Sequence, residues 1–462
     1  MKTLLLFLFN FLLVGSLQAQ FGPQRIVSNN TQKAYLSMPL DINNDGFMDI
    51  VTASLQTFDL RWHQNLDGQG NFSEEIFISN GIAYLLFLDF VDIDSDGDKD
   101  LLYLGNNPRV IGWFENLDGL GNFSSSQTIM QSQVDFISSV SIIDLDIDGD
   151  LDIITKRTNT FTDRIVWYEN LDGMANFGDE ILLIDLIQEV YPPIMVDIDS
   201  DGLVDILTAH ESVGPARLVW YKNLGDETFD VEAEIYQFNY VASDFTSIHW
   251  MQYVDVNADM KYDIVITAHN DDTGTFYYWL ENIDNQGNFS DIQPLPAHGR
   301  FYDLDNDGDN DMLAGNSLED RIYWIENVDG QGNYDQESTI STAVDFLRDI
   351  RAADFNGDGQ LDVVSASLGD NKVAWYEYGG IFGVDENKAN LVTIYPNPVT
   401  NVINIQSAAP IVQHTLLNTL GQNFFCERNG TVVDVSMIAA GVYFLKVEST
   451  NGFTKTFKVV KN

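Results

Sequence analysis

The chain has 462 residues, 45% hydrophobic and 12% aromatic, enough to bury a large interior and fold as more than one unit, which excludes a disordered protein. Seventy acidic residues against 23 basic ones give a formal charge of −47, so nucleic acid and anionic lipid headgroups are repelled except at a local basic patch. A single cysteine, Cys426, excludes an internal disulfide framework, so something else must stabilise an exported fold.

From the N-terminus, Met1-Lys2-Thr3, an apolar run from Leu4 to Val14, and Gly15-Ser16-Leu17-Gln18-Ala19 read as a secretory signal peptide over residues 1–19. No later stretch reaches the roughly 18 consecutive apolar residues of a membrane span, so no transmembrane span is expected once the signal is removed. From residue 20 to 380 one phrase dominates, Asp-x-(Asp/Asn)-x-Asp-Gly-x-x-Asp, beginning at Asp41, Asp92, Asp144, Asp197, Asp255, Asp303 and Asp354. Each copy is followed by a short apolar run and then by a tryptophan: Trp62, Trp113, Trp167, Trp220, Trp279, Trp324 and Trp375. Six copies continue into a turn such as Asn65-Leu66-Asp67-Gly68-Gln69-Gly70-Asn71-Phe72. Four strand-like runs per unit, without helical periodicity, describe propeller blades. The seventh unit lacks its last aromatic, and Phe21 stands 20 residues before Asp41, as Phe72 does before Asp92. The N-terminal strand is therefore expected to complete the seventh blade.

Within each phrase, positions 1, 3, 5 and 9 are oxygen donors. The sets are Asp41, Asn43, Asp45 and Asp49; Asp92, Asp94, Asp96 and Asp100; Asp144, Asp146, Asp148 and Asp152; and Asp197, Asp199, Asp201 and Asp205. Three more follow: Asp255, Asn257, Asp259 and Asp263; Asp303, Asp305, Asp307 and Asp311; and Asp354, Asn356, Asp358 and Asp362. All-oxygen donors on a tight loop suit a hard cation, calcium, whereas zinc or copper would call for His or Cys. Up to seven calcium ions are expected. The fifth site should be weakest, because Met260 stands where the other copies have glycine. The competing reading is that Asp and Asn merely form turns. These repeats resemble the FG-GAP or VCBS family, whose members include the integrin α-chain propeller and some fungal lectins.

Function is expected where the repeat is broken. Trp250 is the one tryptophan outside the pattern. It sits beside His249, and His210, His269, Tyr277, His298 and Arg300 fall on or near the same face, opposite the calcium loops. Such groups suit a glycan or protein ligand, although Trp250 also reads as an ordinary strand residue. Arg164, Arg217, Arg321 and Lys372, each three residues before a repeated tryptophan, read as partners in ion pairs between blades. No nucleophile elbow or zinc motif is present. The leading expectation is a non-catalytic binding or adhesion module with no catalytic residue. The alternative is a polysaccharide lyase using His210 or His269 with Tyr277.

After a linker at 381–391, residues 392–462 alternate apolar and polar in short runs, as in a small β-sandwich. Tyr395-Pro396-Asn397-Pro398, Leu420-Gly421-Gln422, Gly441-Val442-Tyr443-Phe444-Leu445-Lys446-Val447 and Lys458-Val459-Val460-Lys461 resemble the type A sorting domain of the type IX secretion system. That resemblance implies passage through a Gram-negative outer membrane by the secretion machinery, to the medium or the cell surface. The whole chain is thus expected to be all-β: a seven-bladed β-propeller with N-terminal strand closure, followed by a small immunoglobulin-like β-sandwich.

Overall fold

In a computed structural model, the described residues are 21–379 and 392–461, apart from 133–134, 160–161, 187–189, 211–215, 239–245, 271–273, 396–397, 408–409, 419–422, 425, 427, 430 and 450–453. The segments expected to be a signal peptide (1–19) and a linker (381–391), Pro396-Asn397 and Leu420-Gly421-Gln422 lie outside them. Every regular element among the described residues is a β-strand, and the strands form nine four-stranded sheets. None of the described residues forms a helix long and apolar enough to cross a membrane. Two compact units divide these sheets, one within Ala19–Gly380 and one within Ile381–Asn462.

Seven sheets belong to the first unit, and each is an antiparallel meander. Sheet 1 runs Ala34–Leu40, Asp49–Ser54, Asp59–His63 and Ile76–Asn80. In sheet 7, Leu347–Ala353, Asp362–Ser367 and Lys372–Tyr376 are joined by Arg25–Ser28 as the outer strand. Phe21 bridges Tyr378, as Phe72 bridges Asn65 and Phe123 bridges Asn116. The N-terminal strand thus takes the place that the spacing of the aromatics predicts. The second and third strands are the most buried: Asp49–Ser54 and Asp362–Ser367, both second strands, are buried at every position, as befits an apolar run covered on both faces.

Two recurring contacts couple sheets to the ones before them. The tryptophans of repeats 1, 4, 5 and 7 pack against a turn glycine of the following repeat. A Cβ on Gly121 would lie 2.7 Å from Trp62, and one on Gly332 would lie 2.8 Å from Trp279. These glycines also have positive φ, so both space and backbone require glycine there. The asparagine after the third strand donates to a carbonyl in the preceding acidic loop: Asn116 to Ile42 at 3.2 Å, Asn170 to Ile93 at 3.1 Å and Asn327 to Val256 at 3.1 Å. Both contacts also join repeat 1 to repeat 7, through Gly70 against Trp375 and Asn65 donating to Phe355 at 2.8 Å. The series of sheets therefore closes on itself.

One expectation is corrected. Arg164 pairs with Asp135 at 3.0 Å, Arg217 with Glu232 at 3.0 Å, Arg321 with Glu319 at 3.3 Å and Lys372 with Asp370 at 2.7 Å. All of these pairs lie within one repeat rather than between blades. The side chains stand on the third strand, where a neighbour on the same sheet is closer than the next sheet.

In the second unit, Val392–Tyr395, Val402–Ser407, Val432–Asp434 and Arg428–Asn429 form one sheet. Asn423–Phe424, Ile411–Asn418, Gly441–Ser449 and Thr454–Lys461 form the other. Tyr443, Leu445 and Val447 are buried while Val442 and Phe444 are exposed, the period-two pattern of a half-buried strand. One core cluster takes Ile403, Ile405 and Val433 from the first sheet and Leu416, Leu445 and Val459 from the second.

Candidate metal loops and a depression at the opposite end

The acidic phrases form the loops between the first and second strands of the seven sheets, and they share a hydrogen-bond pattern. The carboxylate at position 1 accepts the backbone N–H of position 6 in all seven and that of position 5 in every repeat but the second, as in Asp41 with Asp45 at 3.1 Å and Gly46 at 2.9 Å; in repeat 2 the Asp96 N–H reaches Asp94 instead, at 3.4 Å. The carboxylate at position 9 closes the base. Asp49 accepts Ile42 N–H at 3.2 Å and Asn65 N–H at 2.7 Å, and Asp311 accepts Leu304 N–H at 3.2 Å and Asn327 N–H at 2.9 Å. In repeat 7 the second donor is Tyr378 N–H at 2.7 Å. All seven position-9 aspartates are buried. Burial, reinforced by neighbouring carboxylates, pushes their pKa to about 7 for Asp49, Asp100, Asp263 and Asp362, about 6 for Asp152 and Asp205 and about 8 for Asp311. Their backbone donors pull the other way but do not compensate.

In four loops three carboxylates converge, with oxygens within 4.8 Å of one another: Asp92, Asp94 and Asp96; Asp144, Asp146 and Asp152; Asp197, Asp199 and Asp205; and Asp303, Asp305 and Asp307. Among the described residues, Asp92 Oδ1, Asp199 Oδ1, Asp305 Oδ1 and Asp309 Oδ1 are buried without a hydrogen-bond partner. Converging like charges with orphaned oxygens fit a bound cation, and these loops could hold a metal ion. Repeats 1, 5 and 7, each with asparagine at position 3, show no such group of three acids among the described residues.

Reading the sequence for the phrase alone misses one further position. The residue two after the repeated tryptophan is Glu115, Glu169, Glu281, Glu326 and Glu377 in repeats 2, 3, 5, 6 and 7, Gln64 in repeat 1 and Lys222 in repeat 4. It faces position 3 of the loop. Asn356 donates to Glu377 at 3.3 Å, and the charge of Glu115 helps to raise the pKa of Asp94, after burial and Asp96. In repeat 4, Lys222 Nζ instead donates to both Asp199 and Asp201, the latter at 2.7 Å. Repeat 5 also holds an internal cation, with Lys261 Nζ 2.5 Å from Asp259.

At the other end of the sheets, side chains from repeats 5, 6 and 7 converge. A depression of about 800 Å³ is lined by His249, Trp250, Tyr277, His298, Tyr323 and Arg348, among others. An adjoining hollow of about 150 Å³ adds Arg300 and Asp349, and the two share His298, Gly315, Ser317 and Arg348. Trp250 meets His298 edge-on with centroids 4.6 Å apart, Tyr277 lies 6.4 Å from the same ring, and His249 stacks on His269 at 5.3 Å. Thr267 Oγ1 holds His298 Nδ1 at 3.1 Å. Six of the seven side chains singled out in the sequence are thus neighbours. His210 is not among them: it is buried against Tyr221 at 3.1 Å and Glu232 at 3.3 Å, and burial lowers its pKa. Sequence reasoning missed Arg348 and Tyr323.

A local backbone feature aims two of these groups. The pairing of the first and second strands skips one residue near its start in repeats 1, 2, 3, 5 and 7. The skipped residues are Tyr35, Leu86, Ser138, His249 and Arg348, each six residues before the first aspartate of its loop. A bulged residue leaves the ladder and is turned outward, and both His249 and Arg348 are exposed.

Repeated four-stranded sheets that close in series, bearing acidic loops at one end, define an all-β protein of propeller type, and its second unit marks it for export. Residues 41–103, 92–155 and 303–365 match the FG-GAP-like repeat, and residues 393–462 match the secretion system C-terminal sorting domain. The chain therefore carries FG-GAP-like repeats and a type IX sorting domain, and is a secreted or cell-surface protein. Among solved structures it is similar to a polysaccharide lyase of family PL25, an ulvan lyase, both free and bound to -[GlcA(1-4)Rha3S]-. Each comparison has 12% identity and a TM-score of 0.50 over 78% of this chain and 96% of that one. It is also similar to the Dos1 propeller, at 9% identity and a TM-score of 0.40 over 72% and 75%. No curated protein matches it.

Proposed function

We propose that this is a secreted, calcium-stabilised glycan-binding module: a seven-bladed β-propeller over residues 20–380, with an immunoglobulin-like sorting domain over residues 392–462 that engages the secretion machinery. The observation that carries the binding role is the convergence of Trp250, Tyr277 and His298 with two arginines, from three successive repeats, on two adjoining hollows that share His298 and Arg348. Flat aromatic faces beside planar cations suit sugar rings and their hydroxyls. A glycan array probed in calcium with the full chain tests it. Discrete binding that Trp250→Ala lowers at least tenfold is expected, and no binding to any glycan would end the reading.

Calcium is the cation whose coordination these loops suit, through the carboxylates and the position-7 carbonyl. Repeats 2, 3 and 6, where three carboxylates converge, hold it most tightly, repeats 1 and 7 hold it with an asparagine oxygen at position 3, and Lys222 and Lys261 neutralise repeats 4 and 5 from within. Replacing Lys222 with glutamate should raise the calcium content measured by equilibrium dialysis by one ion per chain. An unchanged content would show that the lysine yields to the metal.

A second reading is lyase chemistry on a uronate, favoured by His298 lying beside Tyr277 in one hollow and lining, with Arg300, the hollow that adjoins it. One of the two would take the proton beside the carboxylate and the other would protonate the departing glycosidic oxygen. Ultraviolet absorbance of an unsaturated product from uronate oligomers would identify it.

A further inference from the structure

The two hollows that share His298 differ in character. One is walled by Trp250, Tyr277 and Tyr323, while the charged lining of the other is Arg300, Arg348 and Asp349. Asp349 is buried and fully engaged. It accepts Ser37 N–H at 3.0 Å, Arg351 Nε at 3.1 Å and Arg300 Nη2 at 3.3 Å. One carboxylate thus serves two guanidinium groups, and the cluster keeps a net positive charge. Arg348 adds another. It stands on the bulge of the first strand in sheet 7, exposed, and among the described residues it has no ion-pair partner. On a chain carrying 70 acids against 23 bases, an arginine left without a carboxylate at the wall of a depression runs against the field of the rest of the surface. A net charge of −47 repels anions over most of the surface, so a local excess of guanidinium groups is where an anion can settle. A guanidinium matches carboxylate and sulfate oxygens in pairs.

We propose that this site selects anionic sugars, with Arg348 and Arg300 binding a carboxylate or sulfate while a ring lies against Trp250 and Tyr277. The inference rests on the glycan-binding reading and narrows it to a charge class. Arg348 is the specificity residue. Arg300 is tied to Asp349 and is the fixed half of the clamp.

The test is a titration of the full chain, in calcium, with oligogalacturonates, their methyl esters and sulfated galactan oligomers, using the wild type, Arg348→Ala, Arg348→Lys and Trp250→Ala. Because Arg348 is exposed and makes no ion pair, its removal should leave the melting temperature unchanged. The expected result is binding of at least one acidic series and tenfold or weaker binding of the esters. Arg348→Ala should lose at least tenfold, with lysine restoring part, and affinity should fall as salt rises. Preference for carboxylate over sulfate, or the reverse, identifies the natural group. Equal binding of acids and esters that is lost in Trp250→Ala would overturn the charge selection while leaving a glycan site. Acid binding insensitive to both Arg348→Ala and Trp250→Ala would place the anion elsewhere and overturn the inference. Absence of any binding would remove both the inference and the reading beneath it.

Discussion

Removing calcium from the intact chain is expected to lower its melting temperature by about 10–20 °C, read by differential scanning calorimetry in calcium and in chelator. Ligand bound only by the folded state stabilises by about 1.4 kcal/mol per site at tenfold excess over its dissociation constant. Five such sites give about 7 kcal/mol, comparable to the stability of a whole domain. The pH dependence should separate the two states as well. In chelator the seven position-9 aspartates have folded pKa values raised to between about 6 and about 8, above an unfolded value near 3.9. Their contribution is fully present below the unfolded pKa and is lost as pH rises through the folded one. The chelated chain should therefore be more stable at pH 5 than at pH 8, and calcium should remove that difference by stabilising the ionised form. Equal melting temperatures with and without calcium at every pH would reduce the aspartates to turn formers.

The second large effect distinguishes two kinds of aspartate within one loop. Asp100 is buried and accepts Ile93 N–H at 3.3 Å and Asn116 N–H at 2.8 Å, so it ties the loop to the end of the third strand whether or not metal is present. Asp94 makes a single weak contact with Asp96 N–H at 3.4 Å, and burial with the charge of Asp96 raises its pKa. Asp100→Ala is expected to cost about 3 kcal/mol in chelator, since two buried backbone donors lose their acceptor. Asp94→Ala should be near neutral in chelator and should lose one calcium ion when the metal is present. Denaturant unfolding of both variants in both buffers checks the pattern. Equal destabilisation in chelator would mean that the loop has no separate scaffold and ligand positions.

Much of this protein is written locally. The repeated phrase, the tryptophan that follows it and the 20-residue spacing from Phe21 to Asp41 determine strands, loops, order of sheets and the partner of the first strand, because each repeat folds on contacts with its immediate neighbours. The C-terminal motifs likewise identify the export route without structure. Tertiary structure decided what depends on residues far apart in sequence. The pairing of Lys222 with Asp199 and Asp201 spans two loops, so an acid count within the phrase could not reveal a loop neutralised from outside it. Arg348 comes to line the same depression as Trp250 and His298 only after three sheets are assembled. Its position six residues before Asp354 matches that of His249 before Asp255, a signal present in the sequence but without meaning until the bulge turned both residues outward. His210 shows the converse: its spacing suggested the same face, yet Tyr221, Glu232 and Arg217 on its own sheet claim it. Sequence alone determined the scaffold because its contacts repeat between neighbouring repeats, whereas the binding surface belongs to the places where repeats differ, and only packing brings those differences together.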